Sequence, residues 1–365
     1  MSNESCCCNS AATDTCSDEG NSKVTKERWV VGYKSTNAGP IPQVSTQLQF
    51  ADTLGSWNAR WGIGRMQYAV SPGLYCVGEP DEHSHVLVTA NYKMTFDRLR
   101  QELAGMNVWI LVLDTKGINV WCAAGKGTFG TDELINRIQT VQLDQIVAHR
   151  NLILPQLGAP GVAAHTVQKQ TGFHVIYGPV RAKDIEAFIR DGLSATKEMR
   201  EVKFTAADRL VLTPMEVVGS IKPTVIIFGV LFILNAIGLG HYGLTDLYAY
   251  LGAIFVGGVL TPVLLPWIPG RAFSVKGLLL GLLWAVGVNI INGWPGTPTY
   301  GWLKAIAYLL ILPAIAAYSS MNFTGASTFT SLSGVDKEMK IALPAMILAV
   351  FSGVVLLLIS DFLLI

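Results

Sequence analysis

Val108-Trp109-Ile110-Leu111-Val112-Leu113-Asp114 runs through Thr115-Lys116-Gly117-Ile118 into Asn119-Val120-Trp121-Cys122-Ala123-Ala124-Gly125-Lys126-Gly127. The opening run is apolar and of strand length. Asn119 can cap a helix and Gly125 or Gly127 can end one, so the second half predicts a helix of about two turns. Cys122 then falls in its first turn, where unpaired N–H groups favour a thiolate over a thiol. Lys126 follows four residues on, along the same face, and adds positive potential. Ala123, Ala124 and Gly125 are small enough for a flat group to approach the backbone. A lone cysteine also has a plainer reading as a small buried hydrophobe, and spacing by itself does not separate that from a reactive or ligating thiol.

Working outward, further strands are expected at Trp29–Tyr33, His85–Thr89, Leu152–Leu154 and His174–Tyr177. Helices are expected at Thr95–Ala104, Thr131–His149 with a break, Gly161–Gln170 and Ala182–Asp191. This alternation predicts an α/β, Rossmann-like domain with a largely parallel sheet over residues 26–200. Ligands of such sheets bind beyond the carboxyl ends of the strands. Two segments are delivered there: Ala90–Thr95 after one strand and Thr115–Lys126 after another. His83 and His85 stand near a strand start without a matching Cys or His cluster, and His149, His165 and His174 are scattered, so surface or core roles are expected. Trp57 and Trp61, beside Arg60 and Arg65, read either as packing residues or as a contact with a partner or a cofactor edge.

Charge divides the chain. Of its 27 Lys and Arg and 26 Asp and Glu, nine lie in residues 223–365 and 44 precede them. Five apolar segments follow Pro223: Val225–Leu239, Leu247–Ile268, Gly277–Ile291, Trp302–Ser319 and Ile341–Ser360. Each approaches or reaches the ~20 residues that span a bilayer, and each must be helical because lipid offers no partner for open backbone groups. Gly257-Gly258 suits close helix packing, and Asn235 and Asn289 read as glue between helices. Arg200, Lys203, Arg209 and Lys222, then Arg271 and Lys276, then Lys337 and Lys340 mark one side of the membrane. The other side has only Lys304. The positive side faces inward, so the N-terminal domain is expected in the cytoplasm and Ile365 outside. Ionisable groups are scarce in the spans, which favours an anchor over a transporter. Residues 201–222 read as a linker.

Residues 1–25 read as a disordered, Cys-rich tail. Its Cys6, Cys7 and Cys8 are either incidental thiols or a capture site for a soft metal ion. No apolar leader is apparent, the cysteines form no disulfide framework, and a net charge of +1 gives no footprint for nucleic acid.

Asn119–Lys126 resembles the signature of the HgcA family, the membrane-bound corrinoid proteins of microbial mercury methylation. The five spans fit that family, as do Val88–Thr95, Leu152–His165 and Tyr177–Ala182. These soluble segments also resemble the corrinoid-binding domain of the corrinoid iron–sulfur protein of the acetyl-CoA pathway. The resemblance covers about residues 40–365 and omits the tail. It implies a cobalamin-type corrinoid whose cobalt takes the Cys122 thiolate as its lower axial ligand. It places Asn119, Val120, Trp121, Cys122, Ala123, Ala124, Gly125, Lys126 and Gly127 in a cap helix at the corrinoid, with Thr89, Thr95 and Ala182 lining it. It implies methyl transfer from cobalt to Hg(II), a ferredoxin-like iron–sulfur partner, HgcB, as electron donor, and a methyltetrahydrofolate-linked methyl donor. Two other roles stay open: a methyl carrier of one-carbon metabolism, and a membrane corrinoid-binding module without catalysis.

Overall fold

Val86–Ala90 and Val108–Leu113 are buried at every position, and around this pair a seven-stranded sheet is built. The computed structural model describes residues 27–238, 242–295, 301–326 and 332–363; the expectations for residues 1–25, including Cys6–Cys8, lie outside the described residues. The strands are β1 (Val30–Thr36), β2 (Gly39–Val44), β3 (Gly73–Val77), β4 (Val86–Ala90), β5 (Val108–Leu113), β6 (Asn151–Leu154) and β7 (His174–Tyr177). Their spatial order is β1-β2-β3-β5-β4-β6-β7. β5, β4, β6 and β7 run parallel, while β3 adds antiparallel to β5 and β1 antiparallel to β2. From β4 the chain crosses to β5 on one side, then returns to β6 on the other. The strand order therefore reverses beside β4, the position where sheets of this kind bind ligands at the carboxyl edge.

The longer helices of this domain are α1 (Phe50–Arg60), α2 (Lys93–Glu102), α3 (Val120–Lys126), α4 (Thr131–Thr140), α5 (Ala164–Thr171) and α6 (Ile185–Arg190). They cover both faces, which is why the central strands are apolar without alternation. On one face Val86, Val88 and Leu111 pack with Val120, Leu134 and Val167. On the other, Leu87, Ile110 and Val112 pack with Phe96, Leu103 and Phe188. Each fully buried aromatic or Leu side chain contributes on the order of 2–3 kcal/mol.

Several elements differ from the sequence expectation. β2, β3 and α1 were not anticipated. The expected helix over 131–149 stops at Thr140, because Gln142 takes a left-handed backbone and a short 3-10 turn, Leu143–Gln145, follows. The helix expected from Gly161 begins at Ala164, after a 3-10 turn, Gln156–Gly161, that contains Pro160.

Five helices are long and apolar enough to cross a membrane: Ala206–Ala236, Leu244–Leu264, Phe273–Ile291, Trp302–Asn322 and Gly334–Ser360. The stretch read as a linker, 201–222, is largely helical. Thr205 and Asp208 cap a short helix in reciprocal fashion, and Pro214 opens the long helix Pro214–Ala236. That helix continues through Pro223, where hydroxyls serve nearby carbonyls: Ser220 donates to Val217 O and Thr224 to Ser220 O. The second, third and fourth spans pack through small residues: a Cβ built on Gly277 would stand 2.6 Å from Ala316 O. Asn289 joins the third span to the fourth by donating to Ala305 O at 3.1 Å. Asn235 instead bonds Tyr242, donating to its carbonyl and accepting from its amide.

Candidate functional site

At the carboxyl edge of β4 and β5, Asn91 organises the turn that leads into α3. It is buried, and its Oδ1 accepts from Thr115 N at 3.1 Å and Gly117 N at 3.0 Å. Its Nδ2 faces Asp114 Oδ1 at 3.3 Å. The fully buried Thr115 hydroxyl lies 2.8 Å from Asn91 Oδ1 and 2.6 Å from Ile118 O. Lys116 and Gly117 take positive φ, so one side-chain carbonyl gathers the amides of a left-handed turn. Burial alone would push Asp114 up, but hydrogen bonds from Lys116, with the charges of Lys116 and Arg137, hold its carboxyl below the usual range. Sequence reading missed Asn91 and Thr115 as a hub. The available signal was an amide residue directly after a buried strand.

The turn delivers α3 as the sequence predicts it. Asn119 is the N-cap, with Oδ1 accepting from Cys122 N at 2.9 Å, and Gly127 closes the helix in the left-handed region. Cys122 is half-buried, and among the described residues its thiol makes no hydrogen bond. Lys126 is exposed one turn on, Trp121 is half-buried, and Val120, Ala123 and Ala124 are buried in the core. Ala123 and Ala124 are thus small because the chain packs against them from inside. Gly161 abuts this helix: a Cβ there would fall 2.1 Å from Phe129 O and 3.0 Å from Ala124 Cα. Gly125 and Gly127 face open space, with nothing within 4 Å of an added Cβ.

The remaining predicted residues sit at the same edge but on the other face. Thr89 is buried, and by strand alternation it shares the face of Leu87. Thr95 lies in the first turn of α2, and Ala182 opens the turn Ala182–Asp184, packed with the second core cluster. The structure therefore divides the candidates into a cap-helix group and a Thr89, Thr95 and Ala182 group, one on each side of the switch point.

The floor between them is the loop after β6. Gln156 N donates to Pro179 O at 3.5 Å, and Tyr177 OH donates to Val162 O at 2.9 Å. Gln156 Oε1 is buried and has no partner among the described residues. A buried acceptor without a donor is a place for a ligand's N–H or O–H. Together with the open backbone at Gly125 and Gly127 and an unpaired soft thiol, this donor set fits a large flat group with amide-bearing edges and a soft metal centre.

A second feature escaped the sequence. Lys93 Nζ bonds Asp52 Oδ1 at 2.9 Å and Asp97 Oδ1 at 2.5 Å, and fully buried Arg100 bonds Asp97 Oδ1 and Asp52 Oδ2, each at 2.8 Å. Burial pushes the Asp52 carboxyl up, but Lys93, the Gln49 amide and Arg100 outweigh it and hold it below the usual range. This network ties α1 to α2 and is structural. His85 and His149 lie at the opposite edge, 6.5 Å apart between ring centres, with burial pushing His85 down. No cluster of three or more metal-ligating side chains occurs among the described residues.

Comparison with known proteins covers this same region. Residues 64–189 match the family model of the CO dehydrogenase/acetyl-CoA synthase delta subunit, CdhD. Every predicted site residue lies inside that match. The acetyl-CoA decarbonylase/synthase complex subunit gamma of Methanopyrus kandleri is 33% identical over 132 residues, 35% of this chain and 28% of that protein. The same subunit of Methanocaldococcus jannaschii is 32% identical over 145 residues, 39% of this chain and 29% of that one. The corrinoid/iron-sulfur protein large subunit of Moorella thermoacetica is 31% identical over 121 residues, 33% of this chain and 27% of that protein. The chain thus spans less than a third of the length of these relatives, and its five long apolar helices lie beyond the residues matched by the family model.

Proposed function

We propose that the chain is a membrane-tethered, corrinoid-dependent methyltransferase whose methyl acceptor is inorganic Hg(II). The carrying observation is the placement of Cys122: half-exposed, without a hydrogen-bond partner among the described residues, on a short capped helix beside the switch point of the sheet. The similarity over residues 64–189 supports a corrinoid as the group that binds there. Asn119 to Gly127 would hold it from one side and Thr89, Thr95 and Ala182 from the other, with Gln156 Oε1 accepting from its periphery. When bound, the corrinoid supplies a methyl group carried on cobalt, with a reactivity set by the axial ligands.

Cys122 would offer its sulfur, a strong donor once deprotonated, to the cobalt of the bound group. Hg(II) is a soft electrophile and has to receive the methyl group together with its bonding electron pair. A donor of this strength would favour that polarity more than neutral imidazole or water would. Asn119 fixes the first turn and hence the sulfur. The Gln156–Gly161 turn, held against α3 by Gly161, keeps water from the back of the helix. The family resemblance assigns the electron supply to a ferredoxin-like protein, HgcB, and the methyl supply to a methyltetrahydrofolate-linked donor. The distribution of Lys and Arg supports a reading in which the α/β domain lies on the cytoplasmic side of the inner membrane and the C-terminus outside.

Full-length protein loaded with methyl-corrinoid tests this. Cys122→Ala is expected to shift the visible spectrum and to lower methylmercury formation at least about a hundredfold, which is ~2.7 kcal/mol of barrier. Unchanged spectra and unchanged methylmercury formation would overturn the assignment. A second reading, a corrinoid methyl carrier of one-carbon metabolism, draws on the relatives named as subunits of an acetyl-CoA decarbonylase/synthase complex. It is favoured if the protein methylates a thiol or nickel acceptor and does so equally without the Cys122 sulfur.

A further inference from the structure

Helix α1 is built inside out. At 100° per residue, Phe50, Leu54, Trp57 and Trp61 fall within an arc of about 60°. All four are exposed, Phe50 by 80% and Trp57 by 64%. The opposite side holds the buried Ala59 and the ion-paired Asp52 that faces Lys93 and Arg100. A surface helix of a water-soluble domain has this arrangement reversed. The stripe continues into Ile63 and Met66, which are also exposed.

What this face meets is indicated by its neighbour. The turn after α1 lies on the first membrane helix: a Cβ built on Gly62 would stand 3.7 Å from Val218 Cγ1 and 3.9 Å from Met215 Sδ. A cavity of about 520 Å³ opens between α1 and the start of that helix, with Trp57, Trp61, Arg98, Leu210 and Pro214 in its walls. The apolar stretch of the span begins near Pro223. Val218 precedes it by five residues, about 7.5 Å along the axis. That places the end of α1 in the headgroup layer, which is roughly 5–8 Å deep on each side of the hydrocarbon. The charges agree. Between residues 50 and 67 the cations are Arg60 and Arg65, and the single acid, Asp52, is consumed by its buried ion pairs.

We infer that α1 is an interfacial membrane helix that lays Phe50, Leu54, Trp57 and Trp61 into the headgroup and upper acyl region of the leaflet from which the first span enters. Tryptophan suits that depth, and the arginines suit anionic headgroups. Because Asp52 bridges α1 to Lys93 and Arg100 of α2, the contact orients the α/β domain on the bilayer. It depends on the spans being inserted and not on what the domain binds.

The test uses the full chain in nanodiscs of phosphatidylcholine and phosphatidylglycerol, with size-exclusion chromatography to establish insertion. Tryptophan emission of the wild type minus that of the Trp57→Phe, Trp61→Phe variant isolates the two indoles. Lipids brominated near the headgroup end of the acyl chain are expected to quench that difference signal about twofold or more, and lipids brominated at the chain terminus to quench it less. Phe50→Glu with Leu54→Glu, both at exposed positions, is expected to remove most of the quenching while the chain still inserts. A difference signal open to aqueous iodide and indifferent to brominated lipid would overturn the inference. So would one shielded from both, which would mean that a protein surface, such as a second copy, covers the stripe.

Discussion

The parallel core β4–β7 and the mixed margin β1–β3 each hold one cysteine among the described residues, and the two could hardly be treated more differently. Cys76 lies inside β3, fully buried, its thiol 3.7 Å from Pro42 O. Burial pushes that thiol up to about 11. Cys122 stands one short turn beyond the carboxyl end of β5, half-exposed. Parallel strands send every carboxyl end to one edge, so the loops there accumulate side chains that can meet a ligand. β3, which runs antiparallel to β5, sends its carboxyl end to the opposite edge. The same residue type is half-exposed at the loop-bearing edge in one region and enclosed in the core in the other.

The largest contrast to test is therefore reactivity. In the native full chain at neutral pH, alkylation by iodoacetamide, read peptide by peptide by mass spectrometry, should favour Cys122 over Cys76 by at least about a thousandfold. A thiol near 11 is about a hundredfold less ionised at neutral pH than one at the ordinary value of 9.0, and burial supplies the rest. Comparable rates would erase the distinction between core and margin. A second measurement concerns how the margin is fastened on. Asp52→Asn leaves Arg100 and Lys93 short of a counter-charge and should cost about 3 kcal/mol in chemical unfolding followed at the α/β domain. The sign with pH is fixed. The folded Asp52 value lies below its ordinary 3.8, so its contribution is complete above that value and disappears as pH falls through the folded value. The wild type should thus lose stability in acid faster than the variant does, and parallel acid profiles would remove Asp52 from the network.

The same two regions differ in how far they can be read from sequence. β4, β5, β6 and β7 are apolar runs bounded by helical patterns, and all four were anticipated to within about two residues. The cap helix was legible because Asn119 and Gly127 punctuate it. β2 was not, since its Gly-Pro-Ile-Pro start carries two prolines, which argue against a strand unless it pairs at a margin. β3 follows Pro72 directly and is only five residues long. α1 defeated the pattern for a different reason: its apolar stripe points away from the protein, so periodicity gave no inward face to recognise. The charged quartet of Asp52, Lys93, Asp97 and Arg100 was invisible because two of its members are about forty residues apart and meet only when α1 folds onto α2. At the candidate site the cap helix was legible, while the roles of Asn91, Thr115, Gln156 and Gly161 around it were not. Their roles depend on loops meeting across the edge, which no local spacing records.

The smallest expected effects separate what the cap helix needs for packing from what it keeps open. Gly161→Ala drives a methyl group against Phe129 O and Ala124 Cα, both backbone atoms that cannot swing away. It should cost about 2 kcal/mol in unfolding of the α/β domain and move α3, and with it Cys122. Gly125→Ala places the same methyl group on the open side of the same helix, where nothing lies within 4 Å, and its backbone is ordinary helix. It should stabilise the domain by roughly 0.5–1 kcal/mol, since alanine loses less conformational freedom than glycine. If Gly125 is open because a flat ligand lies against it, the more stable variant should nevertheless bind corrinoid more weakly, as equilibrium titration would measure. Gains in both stability and affinity would mean that the open face of α3 is not the one the ligand uses, and that the core-facing side of the site has to be sought on the Thr89 and Thr95 side of the switch point.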